Sequence, residues 1–201
     1  MKLGPRYKIA KRLGAQIFEK TQTRAFLLSK ERSEKNRKKG RRGGSDYQRQ
    51  LIEKQKLRLS YGLSEKQFGN YVADALASKT PQATLFVNLE TRLDSIAYRM
   101  GLASTRRAAR QMVSHGHLTV NGKKTTVPSH RVKAGDVIAV RQGSREGALF
   151  GGISEKLKDH KMPAWVEFDA SSMEGKVTGE PSVASHDAIA DIGAVFEFYT
   201  R

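Results

Sequence analysis

The sequence predicts an α+β protein: a mostly helical N-terminal domain, completed by the C-terminal segment, with an inserted α-α-β module. Three observations carry that prediction. Apolar stripes of helical period run between residues 45 and 113, opened by capping residues and closed by glycines. The pair Asn121-Gly122 sits between "HLTV" and "KKTTV", the strongest short hairpin signal. Two late segments, Trp165–Phe168 and Val195–Tyr199, alternate like strands, and Gly and Pro punctuate the residues between them. The expected division is a basic arm over 1–44, a helical domain over 45–87, the module over 88–142, and an acidic segment over 143–201 that packs back on the helical domain.

Residues 1–44 lack sustained periodicity, and "KERSEKNRKKGRRGG" (30–44) is a charged, Gly-containing run of the kind that stays solvated until a partner orders it. Its place before a well-capped helix predicts an arm that orders on RNA. That helix opens at Ser45, with Gln48 three residues on as a capping box. Leu51, Ile52, Gln55 and Leu59 make one stripe, Arg49 and Lys56 lie opposite, and Gly62 stops it. Ser64 and Gln67 open the next helix, whose buried side is Phe68, Tyr71, Val72, Ala75 and Leu76. Thr80-Pro81 starts a third, with Pro at the first helical position, where its missing N–H costs nothing. Leu85, Leu89, Leu93, Ile96, Ala97 and Met100 share one side of it as far as Gly101, and Arg92 and Arg99 share the wet side.

Ser104 is the expected N-cap of a fourth helix, and His115-Gly116 its stop. Ala108, Ala109, Met112 and Val113 cover the inner side. Arg106, Arg107, Arg110, Gln111 and Ser114 form an outward plate of donors, and the planar fork of arginine matches phosphate bidentately. The Asn-Gly hairpin follows, then a strand at "DVIAV" (136–140). In the last segment Trp165, Phe196 and Phe198 are expected core.

The charge layout indicates the partner. The net charge is +17 with a pI near 10.2, a self-repelling balance that nucleic acid or an anionic membrane offsets. Residues 1–58 hold 19 Lys/Arg against 5 Asp/Glu, residues 88–142 hold 10 against 3, and residues 143–201 hold 6 against 10. Two basic blocks predict two polyanion-facing regions that clamp separate RNA helices by their backbones. A-form RNA hides its base edges, so such recognition reads shape. The absence of cysteine removes disulfides and cysteine-bearing zinc sites. The N-terminus has no apolar core like a signal peptide's, and no stretch approaches the about 20 apolar residues of a membrane span, so the chain is read as soluble and intracellular.

Rival readings are weaker. "TRLD" (91–94) echoes a loop of pseudouridine synthases and would nominate Asp94 as a catalytic carboxylate, but the apolar stripe places it on a regular helix and no stretch is long enough for a catalytic domain. A membrane-surface helix needs a bulky apolar side, which the arginine-bearing helix lacks. His115, His117 and His130 have no acidic or Cys partner at metal-binding spacing, and "GALFGG" (147–152) lacks the Lys-Ser/Thr of a phosphate cradle.

Residues 92–122, "RLDSIAYRMGLASTRRAARQMVSHGHLTVNG", resemble the RNA-binding module named after small-subunit ribosomal protein S-four. The stretches "GPRYKIAKRLG" (4–14), "SDYQRQLIEKQKLRLSYGLSEKQFGNYV" (45–72), "WVEFDASSMEGK" (165–176) and "FEFYTR" (196–201) resemble that ribosomal protein family in the same order. The resemblance implies a non-enzymatic constituent of the small subunit, in the cytoplasm or an organelle, that joins small-subunit rRNA at a helix junction early in assembly. It implies ribosomal proteins three and five as neighbours, with mRNA entering nearby, and no membrane partner. Some family members carry zinc-binding cysteines where Tyr7 and Ala10 stand here, so no metal or other cofactor is expected. The family commonly has Pro-Gly-Gln-His-Gly where "RKKGRRGG" stands, and Arg41 and Arg42 are the closest counterparts of residues that face the message. The candidate RNA contacts are then Arg92, Arg99, Ser104, Arg106, Arg107, Arg110, Gln111, Ser114, His115, His117, Asn121, Lys123 and Lys124 in the module. Tyr47, Lys54, Lys56 and Arg58 join them on the helical domain, and Arg41 and Arg42 in the arm.

Overall fold

The computed structural model describes residues 3–35, 45–158, 160–182 and 190–201; Arg41 and Arg42 lie outside them. The chain folds as two compact units, one formed by Met1–Gln82 with Asp187–Arg201 and the other by Ala83–His186.

The first unit begins with two helices where an arm without periodicity was expected. Helix α1 (Arg6–Leu13) ends on Gly14 at φ 69°, and α2 (Arg24–Lys35) returns beside it. Ala10, Leu13, Thr21 and Phe26 are buried, and Tyr7 meets Phe26 edge-on at 5.2 Å. Lys11 Nζ donates to Ser29 O at 2.7 Å, to Ser29 Oγ at 2.8 Å and to Ser33 Oγ at 2.7 Å. The apolar residues are too few and too widely spaced to show a period, yet together they close a small core.

Helix α3 (Asp46–Ser60) and α4 (Glu65–Leu76) are capped as expected: Ser45 Oγ accepts from Gln48 N and Ser64 Oγ from Gln67 N. The buried side of α3 is Gln50, Lys54, Leu57 and Leu59; of the expected stripe Leu59 is buried, while Leu51, Ile52 and Gln55 are half-buried. The cause is the C-terminus. Residues 195–199, expected as strand, form part of a helix (Ile192–Tyr199, α10 in chain order) that packs on α3 and buries Ala194, Val195 and Phe196. Asp191 Oδ1 caps it by accepting from Ala194 N at 3.2 Å. Strand propensity of "AVFEFY" is a weak preference for a half-buried surface, and a helix packed on helices satisfies it equally.

In the second unit the expected third helix is two. Helix α5 (Pro81–Glu90) stops, the chain passes through Thr91 and Arg92 as an extended bridge to Arg131, and α6 (Leu93–Arg99) starts afresh. Val132 N donates to Thr91 O and Leu93 N to His130 O, each at 2.9 Å, so backbone bonds from a later segment replace those that a continuous helix would make. Helix α7 (Arg106–Ser114) is followed by β1 (Leu118–Val120), β2 (Lys123–Lys124) and β3 (Val137–Val140), with Asn121 at φ 48° and Gly122 at φ 77° forming the two-residue hairpin turn. Short helices α8 (Gln142–Arg145) and α9 (Ile153–Lys158) lead to β4 (Val166–Asp169) and β5 (Glu174–Val177).

The five strands form one antiparallel sheet ordered β2-β1-β3-β5-β4. The sheet therefore runs on past residue 142. Ile138 pairs with Gly175, and residues 166–177, expected to return to the helical domain, complete the module's sheet instead. One apolar cluster holds it together, from Leu93 and Ile96 through Ala109, Val113, Leu118 and Ile138 to Trp165 and Val177.

Candidate nucleic-acid interface

Helix α7 is built as a plate. Ala109, Met112 and Val113 are buried against the module's core, and the small Ala109 lets the backbone lie close to its neighbours. The N-cap is Thr105, whose Oγ1 accepts from Ala108 N at 3.0 Å, so the expected cap Ser104 lies one residue outside, exposed. At the other end His115 is the C-cap and Gly116 takes φ 72°. A Cβ at Gly116 would stand 2.3 Å from Lys124 Cε, so this glycine also admits the lysine of the hairpin across the helix end.

The arginines were expected outward and alike, and the structure divides them. Arg92 was expected wet but is fully buried, donating Nε to Asp94 Oδ1 at 2.9 Å and Nη2 to Asp94 Oδ2 at 2.6 Å. It is part of the fold and no contact for a ligand. The break between α5 and α6 turns it inward. Asp94, read as a residue of a regular helix, sits in the first turn of α6 with its carboxylate locked by Arg92, a structural pairing that leaves it no catalytic freedom. Arg99 grips Glu90 with two bonds of 2.8 and 2.7 Å, and Arg106 donates to the same Glu90 at 3.0 Å while lying 4.7 Å over the Tyr98 ring. Arg106 is therefore drawn towards Glu90 at the start of the plate and keeps 12% of its side chain exposed, where an outward side chain was expected. Arg110 lies between, 4.0 Å from Asp94 with 30% of its side chain exposed. Arg107, Gln111, Ser114 and His115 are exposed, as are Lys123 and Lys124 on the edge strand β2.

Two further candidates are occupied by the fold. The Asn121 amide donates to Asp136 Oδ1 at 2.8 Å and accepts from Val137 N at 2.9 Å, which ties the turn to β3. His117 Nδ1 sits 3.0 Å from Ser144 Oγ, and burial, then His115 and Arg141, push its pKa below the ordinary value. Each cause disfavours the charged ring.

On the helical unit the expected contacts are mostly taken. Lys54 is buried, pairs with the Glu65 carboxylate and lies 4.3 Å over the Phe198 ring and 5.7 Å over that of Tyr199. Lys56 pairs with Glu53 at 2.6 Å, and Arg58 bonds Gln55 at 3.0 and 2.6 Å and Glu65 at 3.2 Å. Tyr47 is exposed beside Phe198. The exposed cations of this unit are others, among them Lys8, Arg12, Arg24, Arg32 and Arg49, and in the module Arg131, Lys133 and Arg141. The charge excess of the two blocks signalled them as groups, but without a period nothing singled out individuals.

Tyr199 donates to Glu65 at 3.4 Å, and burial, then the charge of Glu65, raises its phenol to about 12. An unfolded tyrosine releases its proton near 10.0 while the folded one keeps it, so the folded state binds more protons in that window. Stability is expected to fall as pH rises from 10 towards 12, and urea titrations of Tyr199→Phe across that range should show a shallower fall than the parent.

The arrangement offers fixed donors along α7 and the edge strand β2. Among the described residues no group of three His, Asp or Glu side chains could hold a metal ion, and no helix is long and apolar enough to cross a membrane.

Comparison with known proteins agrees along the whole chain. The family model for the ribosomal protein S4/S9 N-terminal domain matches residues 2–93, and that for the S4 domain matches residues 91–138. The chain is 41% identical over 201 residues to the small ribosomal subunit protein uS4 of Limosilactobacillus fermentum, with 98% of each chain covered. It is 40% identical to the same-named protein of Levilactobacillus brevis, again over 98% of each chain. Its identity to that of Polaromonas naphthalenivorans is 40%, over 99% of this chain and 98% of the relative.

Proposed function

The chain belongs to the uS4 family of small-subunit ribosomal proteins, and from that premise we propose that it grips a junction of small-subunit rRNA helices, nucleates assembly there and helps form the region where mRNA enters. It is a structural constituent of the ribosome in the cytoplasm, and its family is not enzymatic. The observation that carries the reading is α7: apolar residues hold its inner side to the core, while Arg107, Gln111 and Ser114 stand exposed beside Lys123 and Lys124. Cationic forks on a rigid element meet backbone phosphates without reorganisation, and phosphate contact supplies affinity that needs no base reading. The exposed cations of the helical unit supply the second surface, so that two RNA helices are held by one chain. Ribosomal proteins three and five are the neighbours in this reading, with mRNA entering nearby.

The test is a filter-binding titration of the full chain on a small-subunit rRNA transcript across salt concentrations. Arg107→Ala, Lys123→Ala and Lys124→Ala together should weaken binding and lower the slope of log affinity against log salt by roughly two to three, since each phosphate contact contributes ~0.7–0.9. Far-UV circular dichroism should be unchanged. An unaltered slope in a folded triple variant would remove α7 and β2 from the interface.

A further inference from the structure

We propose that Glu90 is a positioning residue for RNA binding, its buried carboxylate holding the guanidinium groups of Arg99 and Arg106 as one preset fork at the start of the α7 plate. This rests on the reading of α7 as the RNA-facing helix. Glu90 is fully buried and is the last residue of α5, a helix C-terminus, where a negative charge is disfavoured. A buried carboxylate there needs cationic partners, and Arg99 and Arg106 both bond it. Arg99 donates Nε to Oε2 and Nη2 to Oε1, and Arg106 donates Nη2 to Oε1. The two arginines come from different elements, the end of α6 and the first residue of α7, so one acid sets the spacing of two cations across the intervening loop. Tyr98 backs Arg106 from α6 at 4.7 Å, which restricts the guanidinium plane as well as its position.

Stability alone is a poor reason for the arrangement, because buried ion clusters contribute little that apolar packing would not. Geometry is a better one. Arginine side chains lose rotamer freedom when they bind phosphate, and a side chain already held by Glu90 has less to lose. Arg99 and Arg106 keep 25% and 12% of their side-chain surface exposed, so both still border solvent. The carboxylate thus exchanges some raw charge for placement, favouring a particular RNA shape over polyanions in general.

Two variants of the full chain test this, each titrated against a small-subunit rRNA transcript and against an unrelated RNA duplex. Glu90→Gln keeps the shape and an acceptor but releases the pull on both arginines. Arg106→Lys keeps the charge and loses the fork. Each is expected to bind the transcript about tenfold more weakly. Glu90→Gln should hold or gain affinity for the duplex, with a salt slope steeper by about one as a partly neutralised cation becomes available. Equal losses on both RNAs together with an earlier Trp165 fluorescence transition would mark Glu90 as a packing residue and overturn the proposal. Parental transcript binding by both variants would overturn it too. Should Glu90→Gln not fold, Arg106→Lys decides alone, and parental binding by it defeats the proposal. The Arg107, Lys123 and Lys124 triple variant separates the premises: weakened binding there with parental binding here ends only the role of Glu90, whereas parental binding in all ends the reading of α7.

Discussion

Asp94→Ala is expected to destabilise the 83–186 unit by about 3–5 kcal/mol, the typical cost of leaving one charge of a buried pair uncompensated. Arg92 is fully buried and donates two bonds of 2.9 and 2.6 Å to this carboxylate, so the substitution removes both charge-assisted bonds from a guanidinium buried at the bridge to Arg131. Charge, not volume, is the cause. Replacing both partners by apolar residues, as in Arg92→Met with Asp94→Leu, should therefore recover much of the loss. The measurement is urea denaturation followed by the fluorescence of Trp165, the single tryptophan, which sits in the core cluster of this unit. A double variant no better than Asp94→Ala would show that the carboxylate acts by shape.

The second large effect is expected at the other unit. Phe196→Ala should cost about 3–5 kcal/mol, as large-to-small changes of buried aromatics do. Removal of residues 190–201 should abolish cooperative unfolding of the helical unit altogether. That segment supplies Ala194, Val195 and Phe196 to the core, bonds Gln50 through Glu197 at 2.9 Å and roofs the buried ammonium of Lys54 with Phe198 and Tyr199. Without it Lys54 keeps Glu65, a half-exposed partner, and loses its aromatic cover. Far-UV circular dichroism sums the helices of both units while Trp165 reports the 83–186 unit alone, so the truncated chain should lose the part of the ellipticity change that the helical unit contributes and keep the Trp165 transition. A parental ellipticity change in the truncated chain would contradict the account of α10.

Local signals survived into the structure wherever neighbouring residues sufficed to determine them. The caps at Ser45 and Ser64, the start of α5 at Pro81, the stop at His115-Gly116 and the turn at Asn121-Gly122 all depend on backbone groups within about four residues of the signal. So does the amphipathic division of α7. The failures have another origin. The helix expected through residues 80–100 broke at Thr91 and Arg92 because Arg131 and Val132, some forty positions later, offered backbone partners that no local window contains. Val195–Tyr199 became helical because α3 was there to receive it.

The candidate interface divides in the same way. That α7 and the following hairpin bear a concentration of cations was legible in residue type and spacing, and Arg107, Lys123 and Lys124 stand exposed as expected. Which of the other cations face solvent was not legible, because it depends on where carboxylates from other elements fall. Glu90 draws in Arg99 and Arg106, Asp94 takes Arg92, and Glu65 takes Lys54. By itself the amino-acid order determined several helix caps, the hairpin, the family and the sign of the partner's charge, since these follow from short-range hydrogen bonding, residue pattern and summed charge. Only the tertiary structure decided which cations stand outward and which are held by carboxylates, because in a low-dielectric interior a charge goes to the nearest opposite charge, and nearness there is a property of packing.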